Sequence, residues 1–152
     1  MTKRILIRWA RKKEGKSLFE LIDALADFEK LKKPGRAARV RLLRDAFSAK
    51  RRFDVLLAFV QDKPVGYAVI FETYSSFRAL PTLYLEDLFV LPEFRKQGAG
   101  LKLFRRCVVE VRRRGCGRME WMVLDWNKNA IRFYRKQRAQ HMKEWLLYRL
   151  EF

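Results

Sequence analysis

LFVLPEFRKQGAG, residues 88–100, passes from an apolar, strand-like run through a proline into a basic loop that carries two glycines one residue apart. The residues that follow, LKLFRRCVVEVRRRG, put Leu101, Phe104, Val108 and Val111 on one helical face and most of the Lys and Arg on the other, with Val109 the exception. This spacing predicts an amphipathic helix that begins at the glycines and stops at Gly115. The amino end of a helix has N–H groups with no intrahelical acceptor and a positive partial charge, so an anion binds there when side chains leave the backbone open. Gly98 and Gly100 would leave it open, and Arg95, Lys96 and Lys102 add charge around the same point. On its own, R-x-x-G-x-G reads first as an ordinary strand-to-helix turn in which Gly98 supplies an unusual backbone conformation. It lacks the Gly-Lys-Ser/Thr ending of the nucleotide phosphate loop and the third glycine of the dinucleotide fingerprint, which counts against both ATP and NAD.

Upstream of this turn the apolar pattern has a period of two. FDVLLAFV and VGYAVIFETY read as strands joined through the turn-like QDKP, and TLYLEDLFV as a third consecutive strand. Before them, Ile5–Trp9 reads as a first strand. SLFELIDALADFEKL follows as a helix with Ser17 and Glu20 as a capping box, stopped near Pro34, and RAARVRLLRDAF as a second helix. After Gly115 come a strand in RMEWMVLDW, a short helix in NKNAIRFYRKQR capped by Asn127, and a closing strand in EWLLYRLEF. Strand, helix, helix, three strands, helix, strand, helix, strand is an α+β order, with helices laid on a mostly antiparallel sheet.

The chain has 152 residues, 49% of them hydrophobic, and no linker-like break, so residues 1–152 are expected to form a single domain. Its 35 Lys plus Arg against 17 Asp plus Glu give a formal charge of +18, which points to an anionic partner without saying which. No apolar run reaches the length of a membrane span, and none at the amino end suits a signal peptide, so a soluble, cytoplasmic protein with no membrane partner is expected. Cys107 and Cys116 lack metal-ligand spacing and read as packing residues in a reducing compartment; no metal site is expected. His141 is the single histidine, at the far end of the chain where no Ser/His/Asp or Cys/His arrangement can be assembled around it, and it is given a turn or strand-edge position and no catalytic role.

Three motifs in order, LYLEDLFV, the R-x-x-G-x-G turn and a WN…FY helix, resemble the GNAT superfamily of acetyl-CoA-dependent N-acetyltransferases, and within it the spermidine/spermine acetyltransferase-like group. The resemblance runs from Leu83 to Tyr134, and the element order agrees over nearly the whole chain. It implies a three-layer fold with a mixed, mostly antiparallel sheet of about six to seven strands flanked by about four helices, and a homodimer. It also implies that the coenzyme A pyrophosphate lies on the backbone of Lys96, Gln97, Gly98, Ala99, Gly100 and Leu101 beside Arg95. The pantetheine arm would pair with Leu88, Phe89 and Val90 between two splayed strands, and Asn127 through Ala130 would also touch the cofactor.

Acetyl transfer to an amine needs a neutral nucleophile, although a primary alkyl amine with a pKa of about 10.4 is almost wholly protonated at neutral pH. A base must take that proton, and the departing thiolate benefits from a proton donor. By resemblance the donor is Tyr134 and the base, acting through water, is Glu86. The residues alone favour reading Tyr134 as helix packing, and they read Glu86 with Asp87 also as carboxylates neutralised by neighbouring Arg. Adjacent residues on a regular strand face opposite ways, so only one of the two carboxylates can face a cleft unless a bulge intervenes. The resemblance also places Phe28, Glu29, Asp87 and Trp145 against the substrate.

The family's acidic residues are thinned here: Lys30, Lys32 and Lys33 follow Glu29, and Ser75 and Phe77 stand near positions where the group has acid and tryptophan. Spermine is disfavoured by such a mouth, and a smaller amine, a lysine-like amino acid or a protein lysine fits better. Arg138 stands where the group usually has Gly, which bears on the turn leading to Trp145. The alternative is a non-enzymatic nucleic-acid- or ribosome-binding module suggested by the charge. It is not favoured, because no nucleic-acid motif is present and arginine runs are more often a solvated face.

Overall fold

A computed structural model describes residues 4–152. The chain divides after Trp121 into two compact units.

The first unit holds β1 (Ile5–Trp9), α1 (Gly15–Glu29), α2 (Arg36–Phe47), β2 (Asp54–Val60), β3 (Lys63–Ser75), β4 (Leu80–Val90), α3 (Ala99–Arg113) and β5 (Arg118–Glu120). The strands form one sheet in the order β1-β2-β3-β4-β5, antiparallel except for the parallel β4/β5 pair. Val55, Leu57, Phe59, Tyr67, Val69 and Phe89 face Leu18 and Leu21 of α1 and Ala46 of α2 in one buried cluster. The alternate residues Leu56, Ala58, Ala68, Ile70, Leu83 and Leu85 are buried on the opposite face, which α3 covers with Leu103, Phe104 and Cys107. These are the helix, sheet and helix layers expected.

Turn chemistry fixes the register. Gln61 and Asp62, both with positive φ (49° and 63°), make a two-residue connection between β2 and β3, the geometry whose twist matches that of paired strands. The helix expected from Ser17 starts two residues earlier. Ser17 lies inside α1, and it is the Glu14 carboxylate that accepts from the Arg11 amide (2.7 Å) while pairing with Arg8 (2.5 Å). At the far end of α3 the Glu110 carboxylate is fully buried, yet Arg106, Arg113 and Arg114 all donate to it. Burial would raise its pKa, and those three guanidiniums outweigh it and hold the carboxyl down to about 2.

The second unit contains α4 (Lys128–Lys136). The sheet has five strands among the described residues, not six to seven. RMEWMVLDW contributes only Arg118–Glu120, paired with Thr82–Tyr84, and EWLLYRLEF forms no strand. The apolar alternation in these stretches is real, but an extended segment becomes a strand only where a neighbour completes its ladder and its side-chain pairs.

Candidate active site

The β3/β4 ladder shifts register between Val69 and Ile70: Val69 lies opposite Asp87 and Ile70 opposite Leu85, which leaves Glu86 as the extra residue of a bulge. Without the bulge Glu86 and Asp87 would face opposite ways. With it, both line one cavity of about 200 Å³ walled by Leu18, Ile22, Leu42, Phe53, Val69 and Phe71. LED therefore brings two acidic residues to the lining of one apolar pocket.

They differ in depth, Glu86 being exposed and Asp87 half-buried. Burial, then the charges of Glu86 and Glu29, push the Asp87 carboxyl up to about 6, against a hydrogen bond from the Tyr67 hydroxyl (3.2 Å) that favours its charged form. Tyr67 is fully buried, and burial and Asp87 drive its own pKa upward, so it stays a neutral donor. Sequence reasoning did not single out Tyr67. It is one aromatic within the strand-like VGYAVIFETY, and nothing local signals that its hydroxyl ends beneath an acid. Glu29, at the last turn of α1, is also raised by burial. Phe28 beside it packs 6.4 Å from the Phe89 ring.

The glycine-bearing turn has the open backbone its spacing predicts. Gly98 has φ 95° and caps α3, a Cβ added there would meet nothing within 4 Å, and one at Gly100 would meet only Val90 Cγ2 at 3.8 Å. Ala99, Gly100 and Leu101 are the first helical residues, whose amides have no acceptor inside the helix. Lys96 also takes a left-handed conformation (φ 61°) and, like Gln97, is exposed. Arg95 turns inward: its Nε donates to the Val90 carbonyl (2.8 Å) and its guanidinium lies over Phe28 and Phe89, at 4.9 and 5.4 Å from the ring centroids. It ties the loop to the end of β4. Beyond Tyr84, β4 is paired with β3 alone, so Leu88, Phe89 and Val90 have one strand edge without a ladder partner among the described residues. Backbone able to bind an extended chain thus leads directly to backbone able to bind an anion.

In the second unit Asn127 caps α4 as expected, its Oδ1 accepting from the Ala130 amide (3.2 Å). Tyr134 is half-buried, with its ring 5.4 Å from Phe133. Arg138 adopts φ 62°, so the left-handed turn that a glycine would favour is made without one. Trp145 is 77% exposed.

A strand edge open beside an unobstructed helix amino end, with two acidic residues on the same strand, is an arrangement that suits an extended, phosphate-bearing ligand. Residues 18–138 match the model of the acetyltransferase (GNAT) family, and the chain belongs to that family, whose members use acetyl-CoA as co-substrate. The thialysine N-epsilon-acetyltransferase of Mus musculus is 33% identical over 156 residues, covering 95% of this chain and 91% of that protein. An L-ornithine N5-acetyltransferase of Arabidopsis thaliana is 38% identical over 107 residues, 70% of this chain and 44% of that protein. Among solved structures, an integron cassette protein from the mobile metagenome of V. cholerae superposes with a TM-score of 0.82 at 24% identity, covering 100% of this chain and 94% of that one. The protein is accordingly an acetyl-CoA-dependent N-acetyltransferase.

Proposed function

We propose that the chain acetylates the primary amine of a small polyamine-like or lysine-like molecule, or of a protein lysine, by direct transfer in a ternary complex. The observation that supports this reading is the bulge, which brings both Glu86 and Asp87 to the lining of one apolar pocket. Asp87, held from below by Tyr67, attracts and orients the incoming ammonium. Glu86, nearer solvent, takes the proton through water, because the amine attacks only once neutral. The amides of Gly98 to Leu101 hold the diphosphate, Leu88 to Val90 align the arm, and Arg95 keeps the two together. Acetyl-CoA supplies the activated acetyl group. The resemblance to the family assigns the role of proton donor to sulfur to Tyr134.

A thiol with a pKa of about 8.5 leaves fairly well unassisted, so Tyr134→Phe is expected to lower kcat by about tenfold with little change in acetyl-CoA affinity. Steady-state kinetics with calorimetric binding checks this; unchanged turnover would return Tyr134 to packing. Binding itself is tested without an acceptor. Acetyl-CoA at about a hundred times its Kd adds about 2.7 kcal/mol to the folded state, which for a chain of this size raises Tm by about 5–10 °C. An unmoved melting curve at millimolar acetyl-CoA would remove the reading of the glycine turn.

A further inference from the structure

Half of the chain's net charge of +18 sits in 24 residues. Residues 30–53, from the residue after α1, through α2, to the residue before β2, hold ten Lys or Arg and one acid, Asp45. Nine of the ten cations are exposed, and Arg39, half-buried, is held by Asp23 (2.7 Å). The acids within reach do not balance the rest. Lys33 pairs with Asp27 (2.9 Å) and Arg51 with Asp54 (2.5 Å), while Asp45 pairs with Arg44 (2.9 Å) and also feels the charges of Arg41 and Arg52. The exposed side chains of Lys30, Lys32, Arg36 and Lys50 make no hydrogen bond or ion pair among the described residues.

This charged surface adjoins the carboxylate pocket. The same segment supplies two of the pocket walls, Leu42 and Phe53, and exposed arginines precede each of them, Arg41 in the first case and Arg51 and Arg52 in the second. At the start of the segment Lys30 follows Glu29, whose charge reaches Asp87. Such cations lower the local concentration of a polyamine, whose second ammonium would have to lie among them. A protein lysine brings one ammonium on a stem of four carbons, which suits a cavity of about 200 Å³ with apolar walls. Acidic neighbours in its own chain then supply the anions. Nine exposed cations are more than the single carboxylate of a small acceptor can engage, whereas a run of Asp and Glu engages several at once. Leu31 and Val40 stand among them, 61% and 65% exposed, and a protein segment has apolar side chains to cover them where a sugar-phosphate backbone has none.

We propose that residues 30–53 form the docking surface for an acidic segment of a protein, and that a lysine of that segment enters the pocket lined by Glu86 and Asp87 and is acetylated there. This deepens, and rests on, the amine-acetyltransferase reading. In the transfer the lysine nitrogen bonds to the acetyl carbon as the thioester C–S bond breaks. Of the three ammonium protons one stays on the amide nitrogen, one ends on the coenzyme A thiol and one is released to solvent.

The test uses two end-blocked peptides of equal length with a central lysine, one flanked by Asp and Glu and the other by Asn and Gln, scored by released thiol and by peptide mass. The wild type is compared with the triple variant Lys32→Glu, Arg36→Glu, Lys50→Glu. The three positions are exposed and none lines the pocket, so the variant is expected to melt with the wild type and to acetylate the neutral peptide equally well. In the wild type at about 50 mM salt, kcat/KM for the acidic peptide is expected to exceed that for the neutral one by about tenfold or more, mainly through KM, and the advantage to shrink severalfold at about 0.5 M salt. In the variant the ratio is expected to fall to about one or below. Equal kcat/KM for the two peptides in the wild type at low salt, or a preference that survives the triple substitution, overturns the docking surface. Peptides that stay unmodified while 1,4-diaminobutane releases thiol overturn it as well and leave amine acetyl transfer standing. Wild-type enzyme that binds acetyl-CoA yet releases no thiol with any of the three acceptors overturns the amine reading and the docking surface together. A duplex RNA that binds the wild type and not the variant, with no advantage for the acidic peptide, assigns the surface to nucleic acid and overturns the proposal.

Discussion

Asp87→Asn is expected to lower kcat/KM for the amine acceptor by about a hundredfold or more at about pH 8, and at that pH to make the protein more stable. The first effect is the loss of a desolvated carboxylate facing an ammonium. The second follows from the same burial. The carboxyl lies at about 6 rather than 3.8, so its folded-state pKa is raised. Below the unfolded value the folded protein holds the proton at no cost. As the pH rises through about 6 that advantage is lost, because a charge must be kept half-buried beside Glu86 and Glu29. At about 1.36 kcal/mol per pH unit the difference amounts to about 3 kcal/mol against the wild type once Asp87 is ionised. Asn keeps the shape and an acceptor for the Tyr67 hydroxyl without that charge. Urea denaturation at about pH 4, 6 and 8 is therefore expected to show a variant equal to the wild type at the acid end and more stable at the alkaline end. In the wild type kcat/KM should fall on the acid side with a midpoint near 6, since that ratio reports the free enzyme. A variant less stable than wild type at about pH 8, or a stability gap that does not change with pH, would mean that Asp87 is held by its neighbours as a net stabilising ion and not as a strained one.

How much of this site was readable in the sequence depends on whether a feature is local. The turn from Leu91 to Gly100 was legible because open backbone needs glycine and the residues supplying it are adjacent in the chain. The span of α2 came from its own sequence, RAARVRLLRDAF. Asn127 as a cap is equally local. The bulge was not legible. LED offers no side chain that demands an extra residue, and only the mismatch between Val69 and Ile70 on β3 forces Glu86 out of register. Strict alternation left room for only one cleft-facing acid, whereas the pocket has two. Tyr67 was missed for a related reason. It is ordinary in its own segment and acquires meaning from a residue 20 positions away, Asp87. The ends of β5 and the residues after Glu144 failed in the opposite direction, since alternating hydrophobicity marks competence to pair but does not supply the partner.

Gly66→Ala is expected to destabilise the protein by about 2–3 kcal/mol, lowering Tm by about 5–10 °C, and to weaken acetyl-CoA binding by about tenfold. Gly66 sits on β3 opposite Val90, with an ordinary backbone conformation, so the reason for glycine there is space and not φ. A Cβ would stand 2.7 Å from the Phe89 carbonyl oxygen, 3.0 Å from Val90 Cγ2 and 3.3 Å from Val90 Cα. Two of those three atoms are backbone and cannot rotate away, so β3 and β4 must separate. The separation would fall on Phe89 and Val90, whose other edge is the one proposed for the acyl carrier, and on the Val90 carbonyl that holds Arg95 at 2.8 Å. Stability and cofactor affinity are thus coupled through one missing methyl group. Gly35→Ala serves as the control, since its Cβ would meet nothing within 4 Å, and it should move neither quantity by more than about 0.5 kcal/mol. Gly98→Ala separates the two contributions from the other side. Its Cβ also meets nothing, but φ 95° strains any side chain, so the cost is confined to the turn while the β3/β4 pair is undisturbed. Thermal melts and titration calorimetry on the three variants check the ordering. A Gly66→Ala protein that melts with the wild type and binds acetyl-CoA unchanged would show that these strands can part by a few tenths of an ångström without moving the binding edge.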